Sequence, residues 1–196
     1  MPVAEIVESL SRALPGLTVE SWDAADHPVI VVPRESLHDV ALALRDTPEL
    51  NFHFLVECTG VDFWPREPRF EVVYHLACTG AKDFPRPGMS ATPRRLRMKV
   101  RVPGTDPVVA TLCDVWPNAN WYEREVYDLF GILFDGHPDL RRVLMPEDWE
   151  GHPARKDYPV QVKLPVTFTQ PTQVTEEEFV RNIEQHRVRT GARPGR

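Results

Sequence analysis

Two histidines and two aspartates between residues 134 and 159 could supply ligands to a divalent metal ion. His137 and His152 offer imidazole nitrogens, and Asp139 and Asp157 offer carboxylate oxygens. Both histidines stand in Gly-His-Pro tripeptides and neither belongs to an H-x-x-x-H or H-E-x-x-H helix. Each is therefore expected either to pin a turn by hydrogen bonding or to pack beside the proline ring. We therefore expect no metal ligand, and a stand-alone metal-dependent enzyme is a distant alternative.

The sequence also lacks the patterns of nucleophilic and cofactor chemistry. Cys58, Cys78 and Cys113 are 20 and 35 residues apart, whereas an iron–sulfur cluster needs about four thiolates, commonly in C-x-x-C runs. No G-x-S-x-G motif and no glycine-rich phosphate loop is present. We expect no catalytic residue and no cofactor-binding residue, and we expect the cysteines to pack as small apolar side chains.

The segment of residues 134–159, called the charged loop below, has instead the composition of a binding surface. Its 26 residues show almost no hydrophobic periodicity and are rich in Arg, Asp, Glu, Trp and Tyr. Irregular stretches of this length are uncommon in compact domains and are usually functional. Arg, Trp and Tyr dominate binding hot spots, and buried charges need partners within the loop or on another chain. These features favour a protein–protein interface.

A helix over Trp121–Phe130 is predicted to position the charged loop. Asn120 can cap it with Glu123 in a capping box, and Arg124 and Asp128 are spaced as an i,i+4 ion pair. The glycine that follows suits the left-handed residue after a helix. The helix has an apolar stripe of Tyr122, Val126 and Leu129 or Phe130.

Hydrophobic periodicity predicts a core domain over residues 1–112 with the element order α-β-β-α-β-β-β. The simplest architecture for this order is a two-layer α+β fold, a mixed sheet with both helices on one face. A short helix over 106–115 is expected to follow. We expect residues 113–160 to pack on this core and on a partner, and residues 161–196 to form a C-terminal extension. The predicted core helices span 3–14 and 33–45, and the strands span 17–22, 29–32, 52–63, 70–79 and 96–102.

Composition restricts the function classes. The hydrophobic fraction is 42%, the charged fraction is 27% and the formal net charge is −6, so a core can form and nucleic acid is not the expected partner. The longest apolar run, Val40–Leu44, has five residues, whereas a membrane-spanning helix needs about 20. The N-terminus lacks the basic segment of a signal peptide. We expect membrane contact only through partner chains.

Consecutive motifs between residues 113 and 160 carry a family resemblance. They read E-R-E-V-Y-D-L-F-G over 123–131, H-P-D-L-R-R-V-L over 137–144, P-E-D-W-E-G-H-P over 146–153 and R-K-D-Y-P over 155–159, with Trp116-Pro117 upstream. This run resembles the signature of the 30-kilodalton family, the C subunits, of NADH-quinone oxidoreductase, respiratory complex I. Residues 1–102 are compatible with that family but do not identify it.

The resemblance implies a non-catalytic scaffold component of the hydrophilic arm that docks to the D subunit, which lines the quinone site, near the B and I subunits. The complex would oxidise NADH with quinone and translocate protons. FMN and iron–sulfur clusters are expected in the partner subunits and none in this chain. The location implied is the cytoplasmic side of the plasma membrane. The alternative is an equivalent chain of a membrane-bound hydrogenase, or of a dehydrogenase linked to coenzyme F420 or to ferredoxin.

The resemblance also assigns residues of the partner interface or structural motif. Among them, Arg141 and Arg142 are expected to be the counter-charges of the acidic helix. The assigned residues are Trp121, Glu123, Arg124, Glu125, Tyr127, Asp128, Phe130, His137, Arg141, Arg142, Trp149, His152, Arg155, Lys156, Asp157 and Tyr158.

The last residues carry no family motif, and their composition predicts an arm. Residues 160–174 are polar and spaced by prolines, so an extended path over a surface is expected. Thr175 and Glu178 fit a capping box at the start of a helix, whose apolar strip is too narrow to persist in water without docking. We expect the arm to bind an acidic partner surface through its basic end, which contains Arg187, Arg189, Arg193 and Arg196. The alternative is a solvated tail.

Overall fold

The computed structural model describes residues 2–79, 93–159 and 181. The predicted C-terminal arm therefore lies outside the described residues. Residues 2–79 and 93–159 belong to one compact unit. Its elements are α1 (Val3–Ala13), β1 (Glu20–Asp23), β2 (Pro28–Val32), a 3-10 turn (Arg34–Ser36), α2 (Leu37–Asp46), β3 (Phe54–Asp62), β4 (Phe70–Cys78), β5 (Arg94–Val102), β6 (Val108–Ala110), α3 (Ala119–Phe130) and β7 (Leu133–Asp135).

A five-stranded mixed sheet forms the centre of this unit. The strand order is β1-β2-β5-β4-β3. Strands β2 and β5 are parallel, and the other neighbours are antiparallel. The side chains of β5 alternate, so its apolar set is buried and its basic set points to the opposite face. The predicted α+β class and the mixed sheet are confirmed.

Helices α1 and α2 cover one face of the sheet. Each contributes an apolar stripe with a spacing of three or four residues, which is the pattern expected of a helix with one buried face. Ile6 and Leu10 of α1 and Val40 and Leu44 of α2 are at most 1% exposed. They belong to the same core as the inward-facing side chains of β2, β4 and β5.

The helix predicted over residues 106–115 is wrong. Val108–Ala110 instead forms β6, which pairs in parallel with β7 through Val109 and Phe134. A single turn follows, in which the amides of Val115 and Trp116 both donate to the carbonyl of Leu112. That turn explains the helix-like spacing of its apolar residues. The residues before the turn form a strand and not a helix because they pair with β7.

Helix α3 confirms the predicted helix, but its N-terminus differs from the prediction. The helix begins at Ala119, and Asn118 occupies the cap position without a side-chain cap hydrogen bond. The Asn118 amide donates to the carbonyl of Leu55 on β3 at 2.7 Å. Glu123 faces the interior, so the predicted capping box of Asn120 and Glu123 is wrong. A tertiary contact with β3 replaces the local cap.

The C-terminal half of α3 packs closely against β3. A Cβ atom at Gly60 would lie 2.7 Å from the Phe130 ring, so only glycine permits this approach. Gly131 ends the helix with a φ of 70°, as predicted for the left-handed residue. The close packing fixes the end of the helix from which the charged loop departs.

Among residues 2–79 and 93–159, no helix is both long enough and apolar enough to cross a membrane.

Candidate partner-binding site

Asp128 organises the middle of the charged loop. It is fully buried on α3, and its carboxylate accepts four hydrogen bonds from the loop. Burial raises the pKa of Asp128, but these hydrogen bonds outweigh that effect and hold the pKa below its ordinary value. The carboxylate is therefore ionised at neutral pH. The donors are the backbone amides of Val143 (3.1 Å), Leu144 (2.8 Å) and Met145 (2.8 Å) and the guanidinium of Arg142 (2.7 Å).

Arg142 connects two parts of the charged loop through Asp128. Besides its ion pair with Asp128, its guanidinium donates to the carbonyls of Trp149 and Gly151, each at 3.0 Å. The Arg142 side chain is 15% exposed and that of Asp128 is 0% exposed. Both charges are largely removed from water, so each needs the opposite charge of the other to offset the free energy of lost hydration.

The expected pairing of Arg124 with Asp128 is replaced by a different contact. Arg124 donates to the backbone carbonyls of Arg141 (3.1 Å) and Arg142 (3.3 Å). Its guanidinium lies 4.7 Å from the ring centre of Trp121, in a cation–π contact. Arg141 itself pairs with Asp139 at the surface. Of the two arginines predicted as counter-charges of the helix, only Arg142 has that role within the described residues.

The C-terminal carbonyls of α3 are bound by the end of the charged loop. His152 Nδ1 donates to Asp128 O at 2.9 Å, the amide of Ala154 donates to Leu129 O at 3.0 Å, and Arg155 Nε donates to Phe130 O. These carbonyls have no partner inside the helix. Burial lowers the pKa of His152, so the ring is neutral at pH 7. His152 thus pins a turn, as predicted for a Gly-His-Pro histidine.

A second ion-pair cluster fastens the last residues of the loop to the β3–β4 hairpin. Arg69 pairs with buried Asp62 at 2.9 Å and also with Asp157. The amide of Lys156 donates to Asp62 at 2.8 Å. Burial raises the pKa of Asp62, but the hydrogen bonds from Arg69, Lys156 and Trp64 outweigh it and lower the pKa to about 2. The cluster joins residues far apart in the sequence.

Glu123 is the second buried acid of α3. Its carboxylate accepts the backbone amide of Leu112 at 2.7 Å and the hydroxyl of Thr111. Burial raises the pKa of Glu123 to about 7, although these hydrogen bonds oppose the shift. Glu123 therefore ties α3 to the segment after β6.

The remaining assigned residues have simpler environments. Glu125 and Lys156 side chains are exposed. Tyr127 makes an edge contact with His152, and the Tyr158 hydroxyl donates to Glu150 O at 3.1 Å. Trp149 is half-buried. The metal-type set considered from the sequence is distributed among separate contacts: His152 binds α3, Asp157 binds Arg69, and His137 and Asp139 share the turn that begins the loop.

Sequence reasoning missed Asp62 and Arg69. Both flank the Trp64–Pro68 segment of the β3–β4 hairpin. Charged residues are common in such turns, so these two do not stand out in the sequence. The sequence contains one signal for them. Each residue adjoins the end of an apolar strand, where burying an unpaired charge is energetically costly. Their pairing with Asp157 depends on the path of the charged loop and has no local pattern.

The apolar side chains left exposed around the charged loop form its candidate contact surface. Trp121 is 61% exposed and Leu144 is 59% exposed, and Val143 is also exposed. Exposed large apolar side chains beside a rigid polar frame are typical of protein interfaces. The network described above fixes the backbone that presents them.

The sequence matches the model of a known protein family. The family model described as "Respiratory-chain NADH dehydrogenase, 30 Kd subunit" matches residues 30–163, a range that contains β3 to β7 and the whole charged loop. The chain belongs to this family.

Sequence relatives of this family member cover most of its length. The C subunit of NADH-quinone oxidoreductase from Roseiflexus sp. (strain RS-1) is 47% identical over 169 residues, which are 85% of this chain and 90% of the relative. The C subunit from Herpetosiphon aurantiacus is 43% identical over 80% of this chain and 84% of its own length. The predicted resemblance is confirmed.

Solved structures show the same fold. A trypsin-resistant fragment of Nqo5 is 35% identical, with a TM-score of 0.53 over 71% of this chain and 100% of the fragment. A chain of an archaeal membrane-bound sulfane sulfur reductase, a respiratory membrane complex, is 26% identical, with a TM-score of 0.63 over 80% of this chain and 85% of its own.

Proposed function

We propose that this chain is the C subunit, a non-catalytic scaffold in the hydrophilic arm of a proton-translocating NADH-quinone oxidoreductase. The observation that carries the proposal is the charged loop. The buried Asp128 of α3 is paired with Arg142 of the loop and accepts three of its backbone amides, while Trp121, Val143 and Leu144 remain exposed beside them. A loop already ordered by its own chain loses little entropy when a partner binds.

The partner proposed for this surface is the D subunit, which lines the quinone site, with the B and I subunits nearby. The names of the relatives support a multisubunit assembly. The proposed location is peripheral, on the cytoplasmic side of the plasma membrane, with membrane contact only through the complex. FMN and iron–sulfur clusters belong to the partner subunits in this proposal, and this chain contributes no redox centre.

Co-purification tests the docking proposal. A tagged full-length chain is recovered from membranes, and its partners are identified by mass spectrometry. Trp121→Ala and Leu144→Asp are expected to reduce recovery of the D subunit, since loss of a hot-spot side chain costs about 2 kcal/mol or more, roughly a 30-fold loss of affinity. Trp22→Ala is the matched control, because Trp22 is an exposed tryptophan on edge strand β1. Equal recovery of that partner by all variants would contradict the proposed surface.

A second candidate is the equivalent chain of a related membrane-bound respiratory complex. The structural likeness to a chain of the archaeal sulfane sulfur reductase favours it. The same co-purification separates the two candidates. Recovery of a flavin-containing, NADH-binding partner supports the first, and a partner set without it supports the second.

A further inference from the structure

Three side chains of metal-ligating type converge beside α3. Cys113 follows β6, Glu123 lies on α3 and His137 lies in the charged loop just after β7. Their sulfur, oxygen and nitrogen ligand atoms all lie within 4.8 Å of one another. Within residues 2–79 and 93–159, this is the one such group of three. Of the four residues that the sequence suggests as possible metal ligands, only His137 belongs to this group.

We propose that Cys113, Glu123 and His137 bind a zinc ion. Zinc bonds of about 2.3 Å to sulfur and about 2.1 Å to nitrogen or oxygen, at tetrahedral angles, place neighbouring ligand atoms about 3.4–3.6 Å apart. The Cys113 sulfur and the Glu123 Oε2 oxygen are already 3.5 Å apart. An inward movement of the His137 nitrogen by roughly 1 Å completes a zinc-binding set.

The donor types select zinc over the common hard cations. Magnesium and calcium prefer sites made of oxygen ligands alone, whereas a thiolate, an imidazole and a carboxylate are the three ligand types of zinc sites. Three protein ligands leave a fourth position for water. Cys113 lines a surface cavity of about 550 Å³, which gives the ion a path of entry from the side of the cysteine.

The surrounding contacts hold two of the ligands in place. The Thr111 hydroxyl and the Leu112 amide both bind the Glu123 carboxylate. The Nε2 atom of His137 lies 3.2 Å from Asn120 O, which is the backbone-carbonyl contact typical of zinc-binding histidines. The Nδ1 atom accepts the amide of Asp139 at 3.0 Å. Zinc binding requires His137 to give up one of these two contacts, because each ring nitrogen is already engaged with the backbone.

Such a site would join three segments that are separate in the sequence: the turn after β6, helix α3 and the start of the charged loop. An ion that binds the folded chain and not the unfolded chain stabilises the folded state. The thiol proton of Cys113 is released to solvent when the sulfur–zinc bond forms. The proposed role is to fasten the start of the charged loop, whose middle and end are held by Asp128 and Arg69.

Metal binding by the full-length chain, prepared without a polyhistidine tag, tests the site. Zinc chloride is titrated against a chromophoric chelator, and cobalt(II) is added separately to observe a thiolate-to-metal absorption band. One zinc per chain is expected. Cys113→Ser and His137→Gln are each expected to lower the affinity by at least about 100-fold, since loss of an outer contact alone costs 10- to 100-fold. Cys113→Ser is also expected to abolish the cobalt band.

The control variant is His38→Gln. His38 lines the same cavity and is paired with Asp114, but it is not one of the three proposed ligands. It should leave the zinc affinity unchanged. Zinc affinity that survives Cys113→Ser, or that is lost in His38→Gln, would overturn the assignment.

Alkylation of the unmodified chain tests the site independently of any variant. Saturating zinc should protect Cys113 from iodoacetamide, as measured by mass spectrometry of its peptide. Cys58 and Cys78 are buried and serve as internal references with low reactivity in both conditions. Equal alkylation of Cys113 with and without zinc would overturn the proposal even if the variants fail to fold.

Discussion

The conformation of the charged loop depends on one buried carboxylate, that of Asp128. Asp128→Asn removes the negative charge opposite Arg142 and replaces one acceptor oxygen with a donor. Breaking a buried ion pair from one side costs about 3–5 kcal/mol, so we expect a loss of unfolding free energy of about 3 kcal/mol. Urea denaturation measures it. Glu125→Gln on the exposed face of the same helix is the control and should change stability by less than about 0.5 kcal/mol. Equal stability of the two variants would contradict the network.

The lowered pKa of Asp62 predicts how the stability of the folded chain depends on pH. Its folded pKa of about 2 lies below the ordinary 3.8, so its contribution is present above pH 4 and is lost as the pH falls from about 4 to 2. The corresponding contribution to the free energy of unfolding is about 2 kcal/mol. The free energy of unfolding of the natural chain should therefore exceed that of Asp62→Asn at pH 6, and the difference should shrink below pH 4. A difference that does not change with pH would show that the charge of Asp62 is not responsible.

At the residue scale, the sequence names residues of the network but does not give their partners. Asp128, Arg142, His152 and Arg155 were all assigned through the resemblance, and all take part in the network. Arg141 and Arg142 are chemically identical neighbours, and only the turn of the loop decides that Arg142 points to Asp128. No rule of sequence spacing contains that information.

At the scale of elements, Gly131 joins α3 to the charged loop and can be tested by substitution. A Cβ atom there would lie 2.5 Å from both Arg155 and His152, at a φ of 70°. Gly16→Ala is the matched control, because Gly16 has a φ of 90° and nothing within 4 Å of the added Cβ. Both variants should lose about 1–2 kcal/mol from the left-handed conformation. Gly131→Ala should lose more, because Arg155 and His152 must leave the carbonyls of α3.

The measurements for the glycine pair are thermal unfolding and limited proteolysis. Gly131→Ala is expected to expose new cleavage sites within residues 150–158, whereas Gly16→Ala is not. If the two substitutions had equal effects on stability and cleavage, the close packing at Gly131 would not hold the loop.

Hydrophobic periodicity predicted the long helices and strands. It failed for strand β6, whose pairing partner is distant in the sequence. The alternation in β5 and the stripes of α1, α2 and α3 are local patterns that match a buried face, and those elements were found. Strand β6 has three residues and depends on β7, more than 20 residues later. Its neighbours Leu112, Val115 and Trp116 have helical spacing because they form one turn. A short strand whose partner is distant carries too little local signal to compete with that spacing.

At the scale of the whole molecule, the isolated full-length chain is expected to be colourless. It has three cysteines, whereas an iron–sulfur cluster needs about four thiolates, and zinc has no visible absorption of its own. An absorption spectrum after gel filtration checks this expectation. A visible band that co-elutes with iron or flavin would contradict the assignment of the redox centres to the partner subunits.

The last prediction concerns residues 165–196, whose role in assembly follows from charge. The chain has a formal net charge of −6, yet its end contains the basic group Arg187, Arg189, Arg193 and Arg196. Within the part of the chain that the structure describes, the charged loop is held by contacts that lie between residues 134 and 158 of the loop and the rest of the core. We therefore expect truncation after Leu164 to leave the folded core intact by circular dichroism. Because attraction between exposed charges weakens with salt, retention of the full-length chain in the complex should fall as salt rises. The truncated chain should be retained less at every salt concentration and should show a smaller dependence on salt. Co-purification across a salt series measures both quantities, and equal retention of the two chains would show that the basic end binds no partner.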